Sequence, residues 1–420
     1  MPTRRSSTRR IGPVAALWTA VFVVAYGTNV PTPLLLVYRD SLDLSPDQLT
    51  GAFGVYAAGL VPALLLAGPA SDRFGRRPVV VPFVLLSAAT SLLFLGAGSA
   101  TWLLFVCRFL QGAVSGVVFS VGTAWLGELV GEPGRAARLT TAALGGGWAI
   151  GPLVSGLLGQ WAPAPTVLPY LLHVALMVVG LALLPGVPET LAPHERRIGP
   201  LVALGVPTGA GRAFVLVVLP IALGVFTFPS TAVTVLPLLL TPTLPELAVA
   251  ITGLVAGVTL LTGVFAQPIG RRLGAVRSGP AGLLVGAVGI GLSLLGAGNE
   301  AWPLLVPVAL LLGVAYGLCL AAGLVVVAQL ASPTARGALT GTFYACAYLG
   351  FGVPLVLSVL GGTAERGVAG FATPLTWLAV LIAVIGLALA LPAARALVTP
   401  RPAAPDPTGE VTRVEPPPPV

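Results

Sequence analysis

Two ionisable side chains sit where charge is costly, inside long apolar runs: Arg108 in TWLLFVCRFLQG and His173 in VLPYLLHVALMVVG. If its run is helical, Arg108 lies about 10 Å from the run's start. A guanidinium at that depth either handles a proton or a substrate charge, or snorkels to the nearer surface. His173 has an ordinary pKa of about 6.5, suited to carrying a proton; the other reading is a hydrogen-bonded packing residue. Asp40, at the mouth of the first apolar run, is the acid towards which Arg108 could reach. The remaining sequence offers no HExxH, no P-loop, no Cys–His pair and no nucleophile–base set, so neither enzyme chemistry nor a cofactor is expected. Cys107, Cys319 and Cys346 all lie in apolar segments and read as packing residues.

The elements that position these groups follow from composition. Hydrophobic residues make up 56% of the 420 and charged residues 9%, with a mean hydropathy of +0.97. A soluble domain needs about 25% charged residues, so lipid must be the solvent of this chain. The formal charge of +8 does not point to nucleic acid, because every basic residue is Arg and the arginines lie in short clusters between apolar runs. Runs long enough to span occur at 14–37, 49–70, 79–98, 101–124, 139–160, 167–186, 213–238, 247–268, 280–298, 302–328, 338–360 and 371–391. Twelve transmembrane helices are therefore expected in an all-α integral membrane protein.

The arginines alternate in step with that count. The N-terminal tail and the even-numbered loops carry Arg4, Arg5, Arg73, Arg76, Arg77, Arg135, Arg138, Arg196, Arg197, Arg271 and Arg272, among others. The odd-numbered loops carry only Arg39 and Arg366, with Asp40, Asp43, Asp47 and Glu246. The positive-inside rule then places both termini in the cytoplasm. The expected organisation is a tail over 1–13, a six-helix bundle over 14–186, a central loop over 187–212, a second six-helix bundle over 213–391 and a disordered Pro-rich tail over 392–420. Arg73-Phe74-Gly75 echoes Arg272-Leu273-Gly274 about 200 residues later, and Pro133, Leu139 and Thr140 echo Pro333, Leu339 and Thr340. Two related halves that rock about a central site are the expected architecture.

The loop after span 2 reads Gly68-Pro69-Ala70-Ser71-Asp72-Arg73-Phe74-Gly75-Arg76-Arg77. Membrane anchoring accounts for its arginines but not for its acid. The loop resembles the G-x-x-x-D-R-x-G-R-R signature of the major facilitator superfamily, with every position filled. Arg108-Phe109-Leu110-Gln111-Gly112 is similar to the family's R-x-x-Q-G motif. Gly147-Trp148-Ala149-Ile150-Gly151-Pro152-Leu153-Val154-Ser155-Gly156 resembles part of the motif of its 12-helix drug:proton antiporters. The departures are Arg138 at the upstream glycine, Ser155 at a later one, and Arg271 where a second Asp72 would align.

The resemblance implies a transporter working by alternating access, with a small-molecule substrate, lipid as its surroundings, protons as the coupling partner and the monomer as the unit. It implies a conformational latch of Gly68, Asp72, Arg73, Gly75, Arg76, Arg77 and Glu128, with Asp72 held at the start of helix 11 near Leu339–Gly341 and Arg76 or Arg77 pairing with Glu128. It implies a gating helix around Gly147, Gly151, Pro152 and Gly156. It also implies a cavity between helices 1, 4, 7 and 10, with polar points at Tyr26, Asn29, Thr32, Gln111, Thr227, Ser230, Thr231 and Tyr316, and with Phe22, Phe119 and Phe226 adding apolar surface. Ser and Thr in spans also commonly bond their own helix, which is the other reading of several of these. Helix 1 lacks the acid that often partners the helix-4 Arg in this family. Pro31, Pro33, Pro229 and Pro237 are expected to kink helices 1 and 7. The function expected is export of a hydrophobic drug or metabolite through a bacterial cytoplasmic membrane. An uncoupled facilitator or importer, or a non-transporting sensor on the same fold, are the alternatives.

Overall fold

A chain crossing lipid must satisfy its own backbone N–H and C=O groups, and this one does so with helices. The computed structural model describes residues 11–195, 204–240, 245–295, 302–331 and 336–397, and among these there is no strand. Among the described residues twelve helices are long and apolar enough to cross a bilayer. In the first half they are α1 (Pro13–Leu42), α2 (Pro46–Phe74), α3 (Arg76–Ser99), α4 (Thr101–Val130), α5 (Pro133–Trp161) and α6 (Leu168–Gly186). In the second they are α7 (Gly211–Leu239), α8 (Pro245–Leu273), α9 (Ala275–Leu295), α10 (Leu305–Leu330), α11 (Gly337–Gly361) and α12 (Ala369–Ala390). Of the tails expected over 1–13 and 392–420, residues 1–10 and 398–420 lie outside the described residues, as do Arg196 and Arg197 of the central loop, and Pro392–Ala396 form a short helix.

Local chemistry sets the helix ends. Ser45 and Gln48 form a reciprocal capping box at the start of α2, with Pro46 in the first turn. The Glu132 carboxylate accepts from the Gly134 and Arg135 amides to open α5. The close junction of spans 3 and 4 is made by a 3₁₀ turn at Ala97–Ser99 and an extended Ala100. Gly75 (φ 104°) ends α2 and Gly274 (φ 75°) ends α8, so the sequence echo between these loops is also a conformational one.

Small residues let the helices approach closely where lipid supplies no hydrophobic drive. In the first half Gly112 and Gly116 of α4 press on the Tyr56 and Leu60 carbonyls of α2. In the second, Gly313 and Gly317 of α10 press on the Thr259 and Gly263 carbonyls of α8. The two six-helix bundles thus repeat one packing device. α1 and α10 are the most buried spans, at 83% and 72%, whereas α12, at 28%, turns Trp377, Leu381 and Leu387 outward to lipid.

The prolines expected to kink helices 1 and 7 stand in different settings. α1 changes segment at Val30, between Pro13–Asn29 and Pro31–Leu42, but Pro229 and Pro237 lie within one continuous helix, Leu219–Leu240. Instead π-helical turns loosen α4 at Val118–Gly122 and α7 at Phe214–Val218.

The bundle has an arginine-rich end, where α2 meets α3, and an acid-bearing end, where Asp40, Asp47 and Glu246 lie. The halves are clamped at the acid-bearing end. Thr363 donates to the Asp47 carboxylate at 2.8 Å, and Ser358 also donates to it, joining α2 to α11 and the turn after it. Gln160 of α5 donates to the Glu246 carbonyl at 2.8 Å and accepts from the Ala250 amide at 3.2 Å, joining α5 to α8. Between these clamps Gly156 faces Gly253 so closely that an added Cβ would lie 2.9 Å from the partner's Cα.

Candidate functional site

The α2–α3 turn is organised by one guanidinium. Arg76 reaches back one helical turn to Asp72 (2.6 Å) and Ser71 (2.6 Å), and across to Glu128 at the end of α4 (2.9 Å). Of the two arginines expected to meet Glu128 it is Arg76 that does so; Arg77 and Arg73 have exposed side chains, Arg73 lying over the Phe74 ring. Asp72 is half exposed and bonded within its own turn, so the expected seat at Leu339–Gly341 of α11 is not its partner here. The halves meet at the opposite end, which is the physical reason. Gly75 is required, because its φ is positive and a Cβ would lie 2.7 Å from the Glu189 carboxylate. Gly68 has open space around it and contributes its carbonyl, which accepts from Ser71.

Glu189 was not anticipated. One carboxylate oxygen accepts from the amides of Arg76, Thr190 and Leu191, each at 3.0 Å, and the other from Arg77 at 2.9 Å. Thr190 in turn donates to Glu128. The chain leaving α6 is thereby sewn to the start of α3, whose unpaired N–H groups favour an anion. A signal existed in the sequence, an acid three residues beyond the α6 apolar run, but no spacing rule links it to a loop so far upstream. Burial pushes the Glu189 pKa up, yet the four amide donors prevail and hold it below its ordinary value. A depressed carboxylate pKa means the tie is present at neutral pH and is lost as pH falls through that lowered value. Hydrogen exchange at the Arg76 and Arg77 amides, corrected for intrinsic rates, should therefore be slow at pH 7 and quicken in acid. Glu189→Ala should expose both amides at every pH; unchanged protection would refute the tie.

Arg108 is 1% exposed, yet no acid meets it. Its Nε donates to the Ala52 carbonyl (3.1 Å) and Nη2 to the Phe53 carbonyl (3.3 Å). Nη1 donates to Gln111 Oε1 (2.6 Å) and to the Thr28 carbonyl (3.4 Å). It does not snorkel. Asp40 pairs with Arg39 instead and is 70% exposed, which removes it as the partner of Arg108. His173 is bonded at both ring nitrogens, to Ser91 (2.6 Å) and the Val23 carbonyl (3.1 Å), and is packed into the space left by Gly27. Because the carbonyl can only accept, Nε2 carries a proton, while Nδ1 bonds the Ser91 hydroxyl, so both ring nitrogens are satisfied.

A narrow cavity lies between the halves. Of the expected polar points, Asn29, Thr32 and Ser230 line it, joined by Thr28. Gln111 does not, being spent on Arg108 and the Gly27 carbonyl. Thr227 bonds the Leu223 carbonyl of its own helix, and Thr231 is enclosed without a partner for its hydroxyl. Tyr26 lies against His173, its hydroxyl also unpartnered, and Tyr316 stands behind Phe226. The wall therefore comes from α1, α2, α5, α7, α8 and α11, and α4 and α10 are not part of it, contrary to expectation. Its substance is aromatic: Phe53, Tyr56, Trp148, Phe226, Tyr348 and Phe351. Phe226 is the hub, stacked on Tyr348 at 4.4 Å with Phe351 at 5.1 Å and Trp148 edge-on at 6.2 Å. Of the other expected aromatics, Phe119 only meets Trp148 by its edge and Phe22 stacks on Trp18. Phe53 and Tyr56, three apart on α2, and Tyr344, Tyr348 and Phe351 on α11 were a readable aromatic stripe.

The glycines of α5 act on two neighbours. Gly147 and Gly151 receive the Phe22 and Tyr26 carbonyls of α1 within the first half. Pro152 and Gly156 face Gly253 of the second half, so one helix carries both contacts.

Comparison with known proteins follows the same lines. Residues 17–350 match the family model described as Major Facilitator Superfamily. The multidrug resistance protein MdtL of Escherichia coli O157:H7 is 35% identical over 140 residues, 33% of this chain and 35% of that protein. Its counterpart in Shigella boydii is 34% identical over the same length. These matches span about a third of the curated relatives. Among solved structures, the human organic anion transporter MFSD10 (TETRAN) superposes with a TM-score of 0.62 at 18% identity, covering 90% of this chain and 98% of that one. The nucleoside transporter NupG, in a mutant form, gives 0.71 at 13% identity, covering 92% and 100%.

Proposed function

This chain belongs to the major facilitator superfamily, and from that premise we propose that it exports a small, mostly apolar aromatic molecule from the cell in exchange for protons. The observation that carries the reading is the aromatic cavity between two halves clamped at one end only by hydrogen bonds and glycine contacts. Such clamps are weak enough to break and reform, as alternating access requires. The multidrug relatives, matching over a third of their length, support export. The alternation of arginines supports a bacterial cytoplasmic membrane with the arginine-rich end in the cytoplasm, so that the described conformation is closed to the outside. A cytoplasm-dependent reporter fused to the C-terminus should then be active; silence there would reverse the orientation.

In the opposite conformation the arginine-rich ends close, and Asp72 is placed to leave Arg76 for the first turn of α11, where free N–H groups attract an anion. Asp72 is thus a latch residue acting outside the cavity, and Gly147, Gly151, Pro152 and Gly156 form the helix that rocks.

A second reading, an uncoupled facilitator or importer, is favoured by one observation. Arg108 faces carbonyls and an amide, and His173 is saturated, so neither is paired with an acid that a proton would neutralise. The two readings separate in proteoliposomes loaded with a panel of fluorescent aromatic compounds. Flux driven by an imposed pH gradient and abolished by a protonophore supports exchange with protons. Flux that follows only the compound's own gradient makes the protein a facilitator. Absence of flux for every compound would sink the transport reading and leave a sensor on the same fold.

A further inference from the structure

The cavity wall conceals a charge. Arg108 contributes no atom to the lining, yet three residues that do line it are in contact with its guanidinium. The Thr28 and Phe53 carbonyls accept from it, and its central carbon lies 5.6 Å from the Phe53 ring centroid and 5.0 Å from that of Tyr56. Arg remains charged at any physiological pH. No carboxylate lines the cavity, and the acids of the described residues stand at the helix ends: Asp40, Asp43, Asp47, Glu246 and Glu365 at one, Asp72, Glu128, Glu132, Glu189 and Glu195 at the other. A full positive charge with no counter-charge therefore stands one residue deep behind the binding surface, where a low dielectric screens it poorly.

Two consequences follow for a bound molecule. A cation in the cavity meets a like charge, and it finds the Phe53 and Tyr56 rings already engaged by Arg108 in cation–π contact. An anion supplies the missing counter-charge. It also finds a donor, because the Asn29 amide spends one hydrogen on the Trp148 carbonyl (3.3 Å) and keeps the other. We propose that the cavity selects aromatic monoanions of the arylcarboxylate kind over aromatic cations of the same shape. This deepens the proposed function and rests on its placing the substrate in the aromatic cavity.

Three probes of nearly one shape test it: 2-naphthoate, 2-naphthamide and 2-naphthylmethylammonium, measured by equilibrium dialysis against the full-length protein in lipid nanodiscs at pH 7. Naphthoate should bind tightest, and the ammonium at least about tenfold more weakly than naphthoate. Arg108→Gln should bring the three within about threefold of one another. Gln111→Glu, which sets a carboxylate against Arg108 while leaving the guanidinium in place, should erase the preference likewise. That variant keeps the test sharp if Arg108→Gln does not fold. Ammonium binding as tightly as naphthoate in the native protein would overturn the proposal, as would an unchanged order in Gln111→Glu. Equal binding of all three overturns only the charge preference and leaves the aromatic transporter reading standing. If none binds to protein that is folded and monodisperse, the aromatic cavity is not the site and both fall. Selective binding without flux in any assay leaves the charge preference intact and sinks transport alone.

Discussion

Gly156→Leu should reduce transport by about two orders of magnitude while leaving the protein inserted and folded. An added Cβ at this position would meet the Gly253 Cα at 2.9 Å and the Val249 carbonyl at 3.1 Å. Both are backbone atoms, which cannot swing aside as a side-chain tip would. Both also belong to α8, in the other half, so the packing of the first bundle does not depend on them. The substitution is therefore expected to block closure of the acid-bearing end and to spare assembly. Thr252, 1% exposed on α8 and lining a second small space near that end, reports on it. In a background without the native cysteines, Thr252→Cys should react slowly with an impermeant thiol reagent in otherwise unaltered protein and rapidly when Gly156→Leu is added. Gly291→Ala, where an added Cβ meets nothing within 4 Å, is the control and should behave as the native chain. Full flux in Gly156→Leu would show that α5 and α8 need not touch during the cycle.

The second large effect is expected at Arg108. Its four hydrogen bonds join α1 through Thr28, α2 through Ala52 and Phe53, and α4 through Gln111. Arg108→Ala removes all four and leaves the Gln111 oxygen without its donor, a loss of about 1–3 kcal/mol for each buried group left unpaired. Flux should fall by about a hundredfold and thermal stability should drop measurably. Arg108→Lys restores the charge but not the fork, and a single ammonium cannot span acceptors on three helices, so rescue should be partial. Asp40→Asn, at an exposed pair with Arg39, should change flux by less than about twofold. Near-normal flux in Arg108→Ala would reduce this residue to packing.

The contrast between what sequence patterns reveal and what they hide is physical. Spans were legible because apolar length is a local property, and the count of twelve needed only hydropathy and the alternation of arginines. A pairing of Glu128 with Arg76 or Arg77 was legible through the family resemblance of the loop, and the structure selects Arg76. Side-chain direction was not. Gln111 and Tyr316 sit on helices expected to line the cavity, but each is claimed by a group whose distance along the chain no pattern encodes, the Gly27 carbonyl in one case and Phe226 in the other. Glu189 was hidden for a related reason: it acts on backbone amides more than a hundred residues away, and backbone donors leave no mark in a sequence.

The stitching at Glu189 also has a mechanical meaning. Beyond α6 the chain is fastened to the first half through Leu191, and it is fastened to the second at Leu204, whose carbonyl accepts from Thr342 of α11 at 2.8 Å. The segment from Leu191 to Leu204 is the leash that joins the bundles. Thirteen residue steps at the full extension of the backbone give that leash a reach of about 45 Å. Halving it would still leave about 20 Å, the order of two helix diameters. A link of that reach sets only a wide upper bound on how far the bundles can part, and their contacting faces set the closer one.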